Sequence, residues 1–232
     1  MNKKLIIANW KSHKTKTEVL VWLEHFVTHF PRQILANFEL VLTPSLPYLD
    51  LVNEYLKKSN LDGIKLASQD NSPYPLGKYT GATAAAQLRS VGCNYALIGH
   101  SERRRYFAET PQIIAQKVDQ ALANNLVPIV CVDDDQIEEQ AQLLNEASRT
   151  SCIVLYEPLK AIGTGMGEDV GIVQKAVALV KQFFGQVPVI YGGSVNVQNI
   201  SEYLLVADGV GVGTASLDVE EFLTLVDKLT KK

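Results

Sequence analysis

Eight short apolar runs, Leu5–Ala8, Leu40–Leu42, Ile64–Ala67, Tyr95–Ile98, Pro128–Val132, Ile153–Tyr156, Val187–Tyr191 and Gly209–Val212, constrain this chain more than any other feature. They are continuously apolar rather than alternating, the pattern of strands covered on both faces, as in a parallel sheet. The segments between them carry helical periodicity. Leu23, Phe26, Val27 and Phe30 recur at i, i+3, i+4 and i+7, as do Phe222, Leu225, Val226 and Leu229, while Ile172, Val173, Ala176, Val177 and Val180 mark a third apolar face. Thr15 and Glu18 have the spacing of a capping box before the first helix. No Gly/Ser-rich linker interrupts the series. The alternation predicts an α/β chain, a single-domain (β/α)8 barrel over residues 1–232, close to the length of about 250 residues that such barrels use. A doubly wound open sheet is the alternative, but it normally has fewer strands, and no GxGxxG follows the first run. The stretches from Cys131 to Glu157 and from Glu157 to Tyr191 are brief, which predicts shortened helical connections after strands five and six.

The net charge of −3 comes without any long basic stripe, which argues against a nucleic-acid partner. The densest basic run, Arg103-Arg104-Arg105, reads as a solvated or interface face of a helix. Cys93, Cys131 and Cys152 have no CxxC spacing, and two of them fall in apolar strand-like runs. Buried reduced thiols are the better reading, which fits a cytoplasmic, reducing location. The apolar run at the N-terminus stops at Asn9, too short for a signal peptide or a membrane span. The expectation is a soluble protein with no membrane partner.

In a parallel barrel the C-terminal ends of the strands share one rim, where chemistry gathers. The first run ends in Asn9-Trp10-Lys11, the fourth in Gly99-His100-Ser101-Glu102, the sixth in Glu157-Pro158, the seventh in Gly192-Gly193-Ser194 and the eighth in Gly211-Val212-Gly213-Thr214. Singly, Lys11 could be a surface lysine, His100 a satisfied buried histidine and Glu157 a loop residue. Together they place a cation, an imidazole and a carboxylate on one rim beside two Gly-rich turns. Such turns let backbone N–H groups approach an anion closely, and those after strands seven and eight are the usual phosphate site of these barrels. Pro158–Gly167, with Gly163, Gly165 and Gly167 and the apolar Ala161-Ile162, has the composition of a lid; an ordinary connecting loop is the alternative.

Asn9-Trp10-Lys11, Ile98-Gly99-His100-Ser101-Glu102-Arg103-Arg104, Tyr156-Glu157-Pro158 with Ala161-Ile162-Gly163-Thr164-Gly165, and Tyr191-Gly192-Gly193-Ser194-Val195 closely resemble the triosephosphate isomerase family. The match runs in order from Ala8 to Leu217. The resemblance implies interconversion of dihydroxyacetone phosphate and D-glyceraldehyde 3-phosphate, in glycolysis and gluconeogenesis, with no metal or organic cofactor. It implies Glu157 as catalytic base, His100 as neutral electrophile and Lys11 as fixed positive charge. It further implies Asn9, Lys11, Gly163, Ser194, Gly213 and Thr214 as substrate-binding residues. A helix starting near Ser101 would lower the His100 pKa and keep the ring neutral. Glu102 matches a partner of Lys11, and a favourable charge at the helix start is an equal reading. The third loop, 69–81, with Thr80 at its tip, matches the segment that enters a partner subunit, which implies a homodimer.

The chain departs from the family pattern at four places. Lys160 stands where a Trp is usual at the lid's leading hinge. Thr214 replaces the second Gly of a pair, so a residue with restricted dihedrals donates there. Asp133-Asp134 replaces Gly-Glu, and Ala82 replaces an acid that would pair with Arg103 across the interface. Two other readings keep the barrel: another phosphate-binding enzyme, such as indole-glycerol-phosphate synthase or an epimerase, or a non-catalytic binding protein. Neither requires Lys11, His100 and Glu157 together.

Overall fold

A computed structural model describes residues 3–158 and 167–230. Its strands are β1 (Lys4–Asn9), β2 (Phe38–Thr43), β3 (Lys65–Ser68), β4 (Tyr95–Ile98), β5 (Val127–Val132), β6 (Ile153–Tyr156), β7 (Val189–Tyr191) and β8 (Gly209–Val212). Each pairs in parallel with the next, and β8 returns to β1 with Leu5 opposite Gly209, closing the barrel. Helices lie between the strands: α1 (Lys16–His29), α2 (Leu49–Lys58), α3 (Ala85–Ser90), α4 (Ser101–Phe107), α5 (Pro111–Ala123), α6 (Ile137–Leu143), α7 (Glu146–Thr150), α8 (Val170–Phe184), α9 (Ile200–Val206) and α10 (Val219–Thr230).

The continuous apolar runs have a direct explanation in this closure. Successive strand side chains point to opposite faces. Leu5 and Ile7 therefore enter the barrel, where they meet Val41, Ala67, Leu97, Ile129, Cys131, Ile153, Leu155 and Ile190. Ile6 and Ala8 point outward into a second core beneath the helices. Across the β1–β8 seam, α1 and α10 pack through aromatic rings. Trp22 lies 4.7 Å from Trp10 and from Phe26, and Phe222 lies 5.9 Å from Trp22, measured between ring centroids. At the start of α1, the Glu18 carboxylate accepts from the Thr15 N–H at 2.6 Å and from its hydroxyl at 2.7 Å, in keeping with the predicted box.

Three local expectations change. After β5 the helices are short, seven residues in α6 and five in α7. After β6, however, α8 has 15 residues and is not shortened, because its helical sequence fills every position between its caps, Asp169 and Gly185. Ile172, assigned above to the buried face of α8, is 45% exposed, whereas Val173, Ala176, Val177 and Val180 are buried. The run Arg103–Arg105 is not a uniform solvated face. Arg104 turns inward, its Nε donating to Gly99 O at 2.8 Å and its Nη2 to Cys131 O at 2.9 Å. Arg103, whose expected acid across an interface is replaced by Ala82, pairs within the chain with Asp70 at 2.9 Å and with Glu109. All three cysteines are buried and free. Among the described residues, no helix is long and apolar enough to cross a membrane.

Phe26 fills the seam cluster and is fully buried. Phe26→Ala is expected to lower stability by about 3–5 kcal/mol, read as a drop in the urea midpoint at fixed protein concentration.

Candidate active site

At the C-terminal end of the barrel lies a cavity of about 470 Å³ lined by, among others, Asn9, Lys11, His100, Glu157, Ser194, Gly213 and Thr214. Seven of the sequence-predicted site residues thus reach one space. Gly163, Lys160 and the body of the expected lid, 159–166, lie outside the described residues.

His100 precedes α4. Its Nδ1 accepts the Glu102 backbone N–H at 3.2 Å, which requires a lone pair on Nδ1 and puts the proton of a neutral ring on Nε2. Nε2 faces Glu157 Oε1 at 3.2 Å. Glu157 is buried, its N–H bonded to Val132 O at 2.9 Å. Its Oε2 meets no N–H or O–H donor among the described residues. Gly192 makes room for it: a Cβ there would come 3.0 Å from Glu157 Cγ. The buried Cys131 thiol is pushed well above its ordinary pKa by burial and then by the neighbouring Glu157 charge.

The electrostatics correct one expectation. The start of α4 was to lower the His100 pKa. Burial does pull it down, but the Glu157 charge and hydrogen bond, joined by Glu102, outweigh burial, so the site holds His100 above its ordinary value. A seven-residue helix is a weak dipole beside a carboxylate in direct contact.

Lys11 adopts a left-handed backbone, φ +50°, a conformation that its surroundings must hold for a residue with a side chain. Its N–H donates to Asn9 Oδ1 at 2.9 Å. Its carbonyl accepts from Ser45 Oγ at 2.8 Å and Gln69 Nε2 at 2.7 Å. Its ammonium meets Glu102 Oε1 at 2.6 Å. Glu102 therefore serves as partner of Lys11 while standing in the first turn of α4, so both readings of it hold. Gln69 and Ser45 went unread in the sequence, although Gln69 directly follows β3 and obeys the same strand-end rule as the others. Thr214 opens a short 3-10 turn without a positive φ, so its side chain brings no left-handed strain.

Comparisons with known proteins agree along the whole chain. A family model described as triosephosphate isomerase matches residues 4–229. The triosephosphate isomerase of Mycoplasma mobile is 36% identical, over 97% of this chain and all of that protein. That of Thermus thermophilus is 33% identical, over 97% and 98%. The crystal structure of triosephosphate isomerase from Bartonella henselae superposes with a TM-score of 0.84 at 25% identity, covering 99% of this chain and all of that one.

Because the folded chain holds the His100 proton more tightly, this group adds stability below the ordinary histidine pKa. That share is lost as pH rises through the folded value. Imidazole NMR titration of E157Q is expected to give a lower His100 pKa than the wild-type protein; an unchanged value would remove Glu157 as the cause.

Proposed function

The chain belongs to the triosephosphate isomerase family and interconverts dihydroxyacetone phosphate and D-glyceraldehyde 3-phosphate in glycolysis, and from that premise we propose that Glu157, His100 and Lys11 carry the chemistry. One observation supports this above the rest: Glu157 and the Nε2 of His100 meet at 3.2 Å in the cavity that Lys11 also lines. The Glu157 carboxylate takes the proton from the carbon beside the carbonyl. The bonding pair moves into the carbonyl, whose oxygen accepts the His100 Nε2 proton. The imidazolate left on His100 then takes the proton of the neighbouring hydroxyl, which restores the neutral ring, and Glu157 returns its proton to the other carbon. Atoms and electrons balance without a cofactor. The Lys11 ammonium stabilises the charge that develops on the oxygens, and Asn9 holds the Lys11 backbone.

Gly213, Thr214 and Ser194 form the phosphate end, and the family resemblance adds Gly163 as a further substrate-binding residue. Supporting this, the turns after β7 and β8 both line the cavity. A volume of about 470 Å³ suits a small phosphorylated ligand. Residues 1–232 act as one barrel domain, and buried free cysteines fit the cytoplasm.

The same reading makes the chain a homodimer through loop 69–81. Leu46, Tyr74, Leu76 and Tyr79 are exposed on and beside this loop, and the Tyr74 and Tyr79 rings stack at 4.5 Å. Arg103, neutralised by Asp70 and Glu109, needs no acid from the second copy. Sedimentation is expected to give twice 25.6 kDa; a 25.6 kDa species at all concentrations would refute the dimer.

A dehydrogenase-coupled assay tests the catalytic roles. E157D, which retracts the carboxylate by about 1 Å, is expected to cost on the order of 10²-fold in kcat, and K11A about 10²–10³-fold. Near-normal turnover in either variant removes that residue from its role. Since one proton on the Glu157–His100 pair disables base and neutral ring together, kcat/KM is expected to fall as pH falls, with an apparent pKa at or above the ordinary histidine value. A flat profile through that range would contradict the pair.

A further inference from the structure

Ser194 has φ +41°, a left-handed conformation that its neighbours must hold for a residue with a side chain. Asn199 holds it. The Asn199 Nδ2 donates to Ser194 O at 3.0 Å, and its Oδ1 accepts from Asn196 N at 2.8 Å. Asn196 Oδ1 in turn accepts from Gln198 N at 2.9 Å and Asn199 N at 3.1 Å. One amide side chain thus spans the turn whose residues Ser194, Val195 and Asn196 line the cavity.

Asn199 stands immediately before α9. One helical turn later, the Tyr203 hydroxyl donates to Glu168 O at 2.6 Å. The Glu168 N–H donates to the Tyr191 hydroxyl at 2.8 Å, and the rings of Tyr191 and Tyr203 pack at 4.1 Å. Glu168 is therefore gripped on both its backbone groups by two tyrosines, one ending β7 and one on α9. Gly167 sits against the same brace: a Cβ there would run into the Tyr203 hydroxyl and come 3.2 Å from Asn199 Nδ2.

We infer that Asn199 and Tyr203 are positioning residues for the phosphate end of the cavity, Asn199 by holding the left-handed Ser194 turn and Tyr203 by tying that turn's helix to Glu168. The inference rests on the reading of this turn as a phosphate contact. Without Asn199, Ser194 relaxes toward negative φ and the adjoining N–H groups swing off the anion. The reacting end, set by β1, β4 and β6, is left in place. Binding shared by substrate and transition state is what weakens, so KM rises while kcat holds.

The test is steady-state kinetics with inorganic phosphate as competitive inhibitor. N199A is expected to raise both KM and the phosphate inhibition constant about five- to tenfold, with kcat changed less than about twofold. N199D keeps the Oδ1 acceptor but loses the Nδ2 donor, and should match N199A. Y203F should raise the phosphate constant about threefold. Folded N199A with an unchanged phosphate constant, or with kcat lowered at constant KM, overturns the inference. If N199A does not fold, N199D and Y203F decide by the same criteria. A wild-type protein that phosphate does not inhibit competitively would instead remove the phosphate reading, and the inference with it.

Discussion

Everything in this molecule follows from closing eight parallel strands into one ring. Parallel pairing sends every strand's C-terminal end to the same rim. Residues as far apart in sequence as Lys11, His100, Glu157 and Ser194 therefore line one cavity. Closure also doubles the demand for apolar side chains. Alternate residues fill the barrel interior or the layer beneath the helices, so little of either strand face is left for polar groups. The polar residues are expelled to the strand ends, which is where the chemistry sits.

At the rim, charges are arranged in alternation. Glu102 stands between two groups, its Oε1 at 2.6 Å from the Lys11 ammonium and its Oε2 at 3.6 Å from His100 Nδ1. Glu157 faces the other side of the same imidazole. Lys11 cannot settle back to an ordinary backbone conformation, because residues from three neighbouring units grip it: Asn9, Ser45 and Gln69. Gln69 also bonds Thr43 O at 3.0 Å, fastening the grip to the end of β2. The side chains that face the cavity are thus few, and the residues that orient them are spread around the ring.

Much of this was legible in the sequence because the signals were local. Continuous apolar runs placed the strands to within two residues, and the polar residue ending each run marked the rim. What stayed hidden depends on distance across the fold. The expected fall in the His100 pKa considered only the helix attached to it, whereas the decisive charge comes from Glu157 on another strand. The pairing of Arg103 within the chain also went unread, because its carboxylates, Asp70 and Glu109, come from the loop after β3 and the turn after α4. Asn199 and Tyr203 carry no catalytic residue type, so nothing in their spacing distinguishes them from an ordinary helix start. Ile172 failed for a simpler reason: a periodic apolar pattern broad enough to include it overshoots the face that α8 buries.

The seam between β1 and β8 has a consequence for how the chain is made. Leu5 pairs with Gly209 and Ala8 with Val212, so during synthesis the first strand of the barrel waits for the eighth. Until then β1 has a partner only on its β2 side, and its other edge is open to foreign strands. Ring closure is a long-range event of the slow kind. A chain broken off before Gly209 would lose the strand that pairs with both β1 and β7, leaving two sheet edges unpaired in place of a closed ring.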